Sequence, residues 1–540
     1  MFLRVFFLVV FLHLFSPCFP QVSGISSSNL PLVVINTSGQ TIQNSAKIQA
    51  GMKLIWNGVG KVNKPTDPGN IYDGKIGIEI RGAYSASLPQ KPYGFETRDQ
   101  TGANLDVSLL GMPAENDWIL LSNYNDKTFM RNTLAFDLFR KMGHYAPRTQ
   151  MVEVIVNNVY QGIYILTEKI KRDKGRVDIA KLAPKDVTGD DVTGGYIFKI
   201  DYYDASNSWK SNYTPLGYPS KAVNYVYADP DETELLASQK NYLKDAVNSF
   251  ESILYSNGFA DKTGGYPAWI DVNSFIDYFI VSEVSRNVDG FKKSCFFFKD
   301  KNSKGGKINA GPVWDFDWAW KNIWDCSFYQ ATDGSGWSYK VNDCGNIWPN
   351  SNGWMVRLLQ DDDFANALNK RYFELRNSYL SFSHLQSYID SVQRLASEAE
   401  LRHYSKWNIL SSGVGAPEVD SQPSTYAGQV IQFTNWIKTR LTWLDANMPG
   451  KSITTGFDAE PQAFSYRIFP NPASDQVYIE TSSILQEIKV FNSMGKLVLG
   501  QSALWTFEST LNVSDLPSGT YFVTLKTIGN KPVSTKLIVR

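Results

Sequence analysis

One stretch of the sequence cannot build a core, and it divides the chain into two separately folding parts. Residues 450–463 contain few large apolar side chains but include Gly456, Pro461 and two threonines. Such a composition is typical of a linker between compact units. We therefore predict a large unit at residues 24–449 and a small unit at residues 464–540. Since 43% of the 540 residues are hydrophobic, the chain can bury a large core.

The start of the chain has the order of a secretory signal peptide. Arg4 precedes an apolar run at residues 5–15 that contains one histidine, and more polar residues follow. A membrane anchor is the alternative, but a spanning helix needs about 20 apolar residues. Lipidation of Cys18 is disfavoured because Pro17 stands where lipidation signals have a small residue. The sequence predicts a signal peptide at residues 1–20, export, and no transmembrane helix in the mature chain.

The charge of the chain argues against a polyanionic partner. Acidic and basic residues balance at 53 each and are interspersed. Proteins that bind nucleic acid or an anionic membrane surface present an excess of lysine and arginine. We therefore expect no nucleic-acid partner.

Three cysteines remain after the predicted signal peptide is removed. Cys326 and Cys344 lie in one segment rich in Gly, Ser and Asp, and exported proteins fold under oxidising conditions. We expect these two to form a disulfide. Cys295 lies in an apolar run, which favours a buried small hydrophobe over a nucleophile. The sequence has no Cys and His spacing typical of a metal site.

The sequence of the small unit predicts an antiparallel β-sandwich. β-rich runs at residues 476–480, 488–491 and 521–526 are separated by turn signals at residues 493–495 and 517–519. An immunoglobulin-like binding module is one role that such a fold supports. The strands alone do not distinguish that role from others.

Four motifs give the small unit a resemblance to the type A sorting domain of type IX secretion. In the family's order they are Phe469-Pro470-Asn471-Pro472-Ala473, Val490-Phe491-Asn492-Ser493-Met494-Gly495, Leu516-Pro517-Ser518-Gly519-Thr520-Tyr521 and Lys536-Leu537-Ile538-Val539-Arg540. The resemblance implies passage across the outer membrane of a Gram-negative cell by the type IX secretion machinery. The module would then be cleaved off or used in surface attachment, and it carries no catalysis.

The large unit mixes strand-like and helix-like segments without an internal repeat, so we predict an α+β fold. Its first cluster of motifs is a strand at residues 75–82, a small flexible loop at residues 82–87, and Lys91. A strand, a loop and a cation can together bind phosphate groups. A structural hairpin explains the same loop equally well.

A helix follows, with an apolar stripe that predicts burial. Asp126 can cap it and Gly143 can stop it. The stripe has a spacing of four residues and consists of Met130, Leu134, Leu138 and Met142. Arg131 points off the stripe, so it is either a solvated charge or the partner of an acidic group.

A β-hairpin is predicted after this helix. Residues 151–156 and 159–170 alternate around Asn157-Asn158, a pair that tolerates the positive φ of a tight turn. Glu168 and Lys169 lie near its end. These two side chains either line a cleft or face water.

The second cluster has the order by which protein kinases present two aspartates to one nucleotide. Asp271 can cap a helix that ends near Arg286, and Asp289 lies on the loop that follows. A hairpin with strands at residues 295–299 and 307–310 then leads to Asp315-Phe316-Asp317. Phosphoryl transfer needs a carboxylate for the metal and another for the attacking hydroxyl. Asn-x-Asp-Gly is also an ordinary turn, so the order alone does not establish catalysis.

Five motifs between residues 75 and 320 give the large unit a resemblance to the CotH family of atypical kinases. In order they are Ile80-Arg81-Gly82, Lys91-Pro92-Tyr93, Asp126-Lys127 through Arg131-Asn132, Gln161-Gly162-Ile163-Tyr164 with Glu168-Lys169, and Trp314-Asp315-Phe316-Asp317. The resemblance implies a diverged protein-kinase fold. It also implies transfer of the ATP γ-phosphate to Ser or Thr of a secreted or surface protein, with Mg²⁺ or Mn²⁺.

By matching position, the resemblance assigns roles to individual residues. Asp289 inherits the catalytic role, Asp315 the metal-binding role, and Asp317 is a candidate second metal ligand. The nucleotide-binding candidates in the matching motifs are Arg81, Lys91, Glu168 and Lys169. Among these, Lys91 is the best candidate for the lysine that contacts phosphate.

The chain also departs from ordinary kinases. It lacks the His-Arg-Asp and Asp-Phe-Gly signatures and a glycine-rich loop of their type. A second function therefore stays open, a catalytically inactive scaffold for adhesion or polysaccharide binding that uses the aromatics of residues 318–354. Glycoside hydrolysis by paired carboxylates is permitted by the composition but has no motif behind it.

Overall fold

The computed structural model describes residues 24–44, 46–345, 347–451, 465–527 and 532–540. The predicted signal peptide and most of the predicted linker lie outside these residues. The chain divides into two compact units, Met1–Ser452 and Ile453–Arg540. No helix in the described ranges is long and apolar enough to cross a membrane.

Seven strands of the first unit close into a barrel. They are β1 (Leu32–Asn36), β2 (Ile48–Ile55), β3 (Tyr72–Ile80), β4 (Tyr93–Arg98), β5 (Asp117–Ser122), β6 (Thr149–Val156) and β7 (Val159–Glu168). The order around the barrel is β1-β2-β3-β4-β5-β7-β6, and a parallel pairing of β1 with β6 closes it. The β6–β7 hairpin is confirmed, and Asn157 and Asn158 have the expected positive φ of 50° and 64°.

A second, antiparallel sheet carries the hairpin predicted between the two aspartate loops. Its strands are β8 (Tyr196–Ile200), β9 (Ser208–Lys210), β10 (Asn224–Asp229), β11 (Cys295–Lys299) and β12 (Ile308–Ala310). Their order is β12-β11-β8-β10-β9. The predicted β11–β12 hairpin is confirmed by the pairing of Phe297 with Ala310. The mixed α and β composition predicted for this unit is therefore confirmed.

Helices complete the first unit. They are α1 (Tyr84–Ser87), α2 (Arg131–Lys141), α3 (Ala237–Leu254), α4 (Val272–Val284), α5 (Ser327–Gln330), α6 (Trp354–Leu358), α7 (Asp362–Arg376), α8 (Phe382–Ala396), α9 (Ala399–Lys406) and α10 (Tyr426–Asn447). The predicted cap of α4 is confirmed, because the Asp271 carboxylate accepts a hydrogen bond from the Ser274 N–H at 2.7 Å. The same helix is buried from Ser274 to Val284, which fixes the position of the loop that follows it.

Helix α2 begins later than its sequence predicts. Phe129 has a φ of 63°, so the chain turns before the helix starts at Arg131. Asp126 still bonds to the start of the helix, because its carboxylate accepts a hydrogen bond from the Arg131 N–H at 2.9 Å. The predicted apolar stripe is buried throughout. Arg131 is itself buried, and its Nε lies 3.4 Å from Asp126 Oδ1, so it is the partner of an acid and not a solvated charge.

The second unit is all-β, as predicted. Its strands are β13 (Tyr466–Phe469), β14 (Gln476–Asn492), β15 (Leu497–Asn512), β16 (Gly519–Thr527) and β17 (Val533–Val539). Hydrogen bonds connect them in one antiparallel sheet. Strand β14 spans residues 476–480 and 488–491, which the sequence predicts as two separate strands. A register shift between Glu480 and Leu485 divides β14 into two halves. The first half pairs with β13 and the second with β16, while β15 pairs with both. Residues such as Val477, Val490 and Val523 form its apolar core.

Cys326 and Cys344 form a disulfide with a Cα–Cα distance of 5.4 Å. Cys295 is a buried free cysteine, and its thiol donates to the Gly290 carbonyl oxygen at 3.0 Å. Burial raises the pKa of the Cys295 thiol well above its ordinary value, so the thiol stays protonated. A nucleophilic role is not supported by this environment.

Candidate functional site

A cleft with a volume of about 620 Å³ brings the two motif clusters of the first unit together. The barrel contributes Ile119 and Leu121 of β5, and the second sheet contributes Lys199 of β8 and Phe296 of β11. The loop before α1 contributes residues 82–85. Five of the site residues named from the sequence line this cleft, namely Arg81, Lys169, Asp289, Asp315 and Asp317.

Asp289 lies on the tight loop after α4 and is 7% exposed. The side-chain amide of Asn287 bonds to the backbone of both aspartate loops. Its Oδ1 accepts the Asp289 N–H at 3.1 Å, and its Nδ2 donates to the Asp315 carbonyl oxygen at 3.2 Å. Burial raises the pKa of the Asp289 carboxyl above its ordinary value. One amide therefore ties the two aspartate loops together.

Asp315 lies after β12 and adopts a φ of 69°, a conformation that costs energy for a residue with a Cβ. The neighbouring backbone is held by Asn132, whose Oδ1 accepts the Phe316 N–H at 2.7 Å. Asp317 on the same segment is bonded by the Asn125 amide. Burial, and then the nearby Asp317 charge, raise the pKa of Asp315 to about 7. The site thus holds two carboxylates that resist simultaneous ionisation.

Lys293 joins the two aspartate loops electrostatically. Its Nζ lies 2.9 Å from Asp289 Oδ2 and 3.9 Å from Asp315 Oδ2. Although burial opposes the charge, the two carboxylates raise the pKa of Lys293, so the ammonium stays charged. Sequence reasoning missed this residue. The available signal was a lysine four residues after Asp289 in the same loop.

Ser294 lines the cleft and lies in the same loop as Asp289, five residues after it. Here the Ser294 hydroxyl donates to Asp315 Oδ2 at 3.1 Å. The side chain therefore supports Asp315 directly.

Four further cations line the cleft, and Lys292 is one of them. The Arg81 guanidinium lies 5.5 Å from the centre of the Trp314 ring, and burial lowers the pKa of Arg81 while the Asp315 charge opposes this shift. Lys169 is about half exposed, with its Nζ 3.6 Å from Asp117. Lys199, which the sequence did not single out, pairs with Asp201 at 2.5 Å. Positive charge therefore surrounds the carboxylates.

Two nucleotide-binding candidates do not line the cleft. The Lys91 ammonium donates to the Ala86 carbonyl oxygen at 2.9 Å and so holds the loop around α1. Glu168 is fully buried, and its carboxylate accepts bonds of 2.8 Å from the backbone N–H and the guanidinium of Arg148. Their motif neighbours Pro92 and Lys169 do line the cleft, so Lys91 and Glu168 stabilise the backbone next to it.

An apolar part of the cleft can accept a flat group. Ile170, Ala228, Phe296 and Trp314 line the cleft and belong to one hydrophobic cluster. They come from the end of the barrel, from β10, from β11 and from the segment before Asp315. Apolar walls beside a few convergent polar groups are typical of small-molecule sites.

The carboxylates fit a hard divalent cation that arrives with a phosphate ligand. In the described part of the chain, no group of three or more His, Cys, Asp and Glu could hold a metal ion by itself. Asp315 and Asp317 supply two carboxylates, and burial together with their mutual repulsion raises the pKa of Asp315. Mg²⁺ is usually bound by one or two carboxylates, with phosphate oxygens and waters as the other ligands. The donor set therefore matches Mg²⁺ or Mn²⁺.

Comparison with known proteins gives two family matches. The family model described as CotH kinase protein matches residues 78–444, and the secretion system C-terminal sorting domain matches residues 467–540. No curated protein matches the chain. The crystal structure of CopC from Methylosinus trichosporium OB3b is 18% identical and covers 14% of this chain and 91% of that chain, with a TM-score of 0.12. That likeness is too low to inform the fold.

Proposed function

The chain belongs to the CotH kinase protein family, and on that premise we propose that it is a metal-dependent protein kinase with a diverged kinase-like fold. It transfers the γ-phosphate of ATP to serine or threonine of a secreted or surface protein. The observation that carries this proposal is the meeting of Asp289 and Asp315 in one cleft, with Lys293 between them. The C-terminal sorting domain implies handling by the type IX secretion system and delivery to the cell surface.

Asp289 is the group that orients the acceptor hydroxyl and receives its proton. Its burial supports this role, because a raised pKa makes a carboxylate a stronger proton acceptor. The hydroxyl oxygen forms a bond to the γ-phosphorus as the bond to the bridging β–γ oxygen breaks, and ADP leaves. Lys293, 2.9 Å away, keeps the Asp289 carboxylate ionised and in place.

The other half of the cleft binds the nucleotide. Asp315 and Asp317 would hold Mg²⁺ or Mn²⁺, which when bound neutralises negative charge on the phosphates. Arg81 and Lys169 supply positive charge to the same phosphates. The apolar cluster around Ile170 and Phe296 receives the base. Lys91 and Glu168 have no direct role in this scheme, because they lie outside the cleft.

The experiment that tests the proposal is transfer of labelled γ-phosphate by the full chain. Asp289→Asn removes the proton acceptor with little change in shape. Asp315→Ala removes a metal ligand from the other loop. The proposal requires that both substitutions abolish transfer while the chain stays folded.

A further inference from the structure

Exposed aromatic side chains are concentrated at the cleft. In the first unit, six of the described aromatic residues are more than a third exposed, and four of the six line the cleft. The four are Tyr84, Tyr202, Trp324 and Trp348. Aromatic residues that stay exposed in a concave site are typical of recognition surfaces. The exposed aromatics therefore give the cleft the character of a recognition surface.

The four side chains differ in their contacts with the described part of the chain. Tyr84 packs edge-on against Trp318 at 5.6 Å, and the Lys293 ammonium lies 5.5 Å from the Tyr202 ring. Trp324 and Trp348 are 58% and 50% exposed. Neither indole makes a ring, cation or side-chain hydrogen-bond contact with the residues that the structure describes. Tryptophan is usually well buried, so two free indoles in one cleft require an explanation.

Part of the chain between the two indoles is bonded to the rest of the first unit. They flank the Cys326–Cys344 disulfide, one on each side. The backbone N–H of Trp324 donates to the Pro417 carbonyl oxygen at 2.7 Å. Two buried arginines bind the loop that the disulfide closes. Arg286 donates to the carbonyl oxygens of Ala331 and Ser335 at 2.9 and 2.8 Å, and Arg440 donates to those of Gly334 and Gly336 at 2.6 and 2.7 Å.

Because the backbone of Trp324 is bonded in place, stacking on its indole costs little conformational entropy. A mobile loop would lose part of its binding energy in becoming ordered. Preorganisation of this kind indicates a binding role in preference to incidental exposure.

The charges that line the cleft favour a neutral ligand. Its described lining contains five acidic and five basic side chains. The acids are Asp201, Asp289, Asp315, Asp317 and Asp325, and the bases are Arg81, Lys169, Lys199, Lys292 and Lys293. A polyanion that arrives without a divalent cation, or a strongly basic peptide, meets as much repulsion as attraction in such a site. Nucleic acid is further disfavoured by the zero formal net charge of the chain.

We propose that Trp324 and Trp348 form a carbohydrate-binding surface at the cleft, which holds a neutral polysaccharide. A sugar ring presents an apolar C–H face that stacks on an indole and a hydroxyl edge that needs hydrogen-bond acceptors. Asp325, adjacent to Trp324 and lining the same cleft, supplies a carboxylate for such hydroxyls. The binding surface goes beyond the proposed phosphotransfer and does not depend on it.

Affinity electrophoresis of the full chain tests this surface without any nucleotide. Native gels would contain hydroxyethyl cellulose, xyloglucan, galactomannan or dextran, with polygalacturonate and single-stranded DNA as anionic polymers. We expect at least one neutral polysaccharide to retard the wild type. Trp324→Ala and Trp348→Ala should each weaken binding about tenfold, and the double variant should migrate as in a plain gel.

Trp56→Ala is the matched control, because Trp56 is half-buried and does not line the cleft. It should bind like the wild type. Circular dichroism and an intact disulfide would show that each variant is folded. The proposal is overturned if a folded wild type is retarded by no neutral polysaccharide, or by anionic polymers only. It is equally overturned if the double variant still binds like the wild type. Since ATP is absent, a failure of phosphotransfer does not affect this result.

Discussion

The ammonium group of Lys293 lies 2.9 Å from a carboxylate oxygen of Asp289, and both side chains are largely buried. Removing one partner of a buried ion pair leaves the other charge without compensation. The pair is also the closest charge contact of the proposed catalytic carboxylate. Its energetics can be tested without knowing the phosphate acceptor.

Lys293→Met should lower the free energy of unfolding by about 3 kcal/mol at pH 8. The loss should shrink as the pH falls, because protonation of Asp289 and Asp315 removes the uncompensated negative charge. Denaturant unfolding at several pH values measures this. Lys292→Met is the matched control, since its Nζ is 3.9 Å from Asp289. Equal losses in the two variants would contradict the assignment.

Asp315 should make the folded chain less stable at higher pH. Its folded pKa of about 7 exceeds the ordinary value of 3.8, so the folded state holds a proton that the unfolded state has released. Stability therefore falls as the pH rises from about 4 to about 7. Asp315→Asn should be about 2 kcal/mol more stable than the wild type at pH 8 and similar to it below pH 4. A difference that does not vary with pH would contradict this account.

Asp317→Asn is the companion variant for this measurement. The Asp317 charge is, after burial, the largest cause of the raised pKa of Asp315. Its removal should therefore reduce the fall in stability between pH 4 and pH 7. Denaturant unfolding across that range would detect the change in slope. An unchanged slope would show that burial alone sets the Asp315 pKa.

A divalent cation with a nucleotide should stabilise the chain through the same carboxylates. MnCl₂ together with a non-hydrolysable ATP analogue should raise the melting temperature of the wild type, because a ligand of the folded state stabilises it by mass action. Asp315→Ala should lose this increase, whereas Asp325→Asn should keep it. Asp325 is the control because it lines the same cleft but is exposed. The increase should be larger at pH 8 than at pH 6, since a metal ligand must be deprotonated.

The disulfide should contribute to stability through the loop that it closes. Cys326 and Cys344 are 18 residues apart, and a loop of that length corresponds to about 3 kcal/mol. The variant with both cysteines changed to serine should lose about this amount in denaturant unfolding. Dithiothreitol should destabilise the wild type similarly and leave the variant unchanged. A reductant effect that persists in the variant would contradict this assignment.

Local sequence patterns predicted the elements that depend on local physics. The turn at Asn157-Asn158, the cap at Asp271 and the buried stripe of α2 follow from positive φ, side-chain hydrogen bonding and helical periodicity. The order of α4, an aspartate loop, a hairpin and a second aspartate is also present in the structure. These features position Asp289 and Asp315 in one cleft.

Elements that depend on distant contacts were not predictable in this way. The barrel closes by pairing β1 with β6, which are more than 100 residues apart, and no local pattern encodes that pairing. The roles of Lys91 and Lys293 depend on how their loops fold, which the motifs do not specify. A lysine in a motif can bind phosphate or a backbone carbonyl, and only the folded chain shows that Lys91 contacts Ala86 while Lys293 enters the cleft.

The most direct test of the central claim is transfer of ³²P from γ-labelled ATP by the full chain, with Mg²⁺ or Mn²⁺ and dephosphorylated casein as a general acceptor. We predict transfer by the wild type, a loss of about 100-fold or more in Asp289→Asn and Asp315→Ala, and little change in Asp325→Asn. A folded wild type that neither transfers phosphate nor binds the nucleotide would contradict the kinase assignment. That result would leave the chain as a catalytically inactive scaffold of the same family.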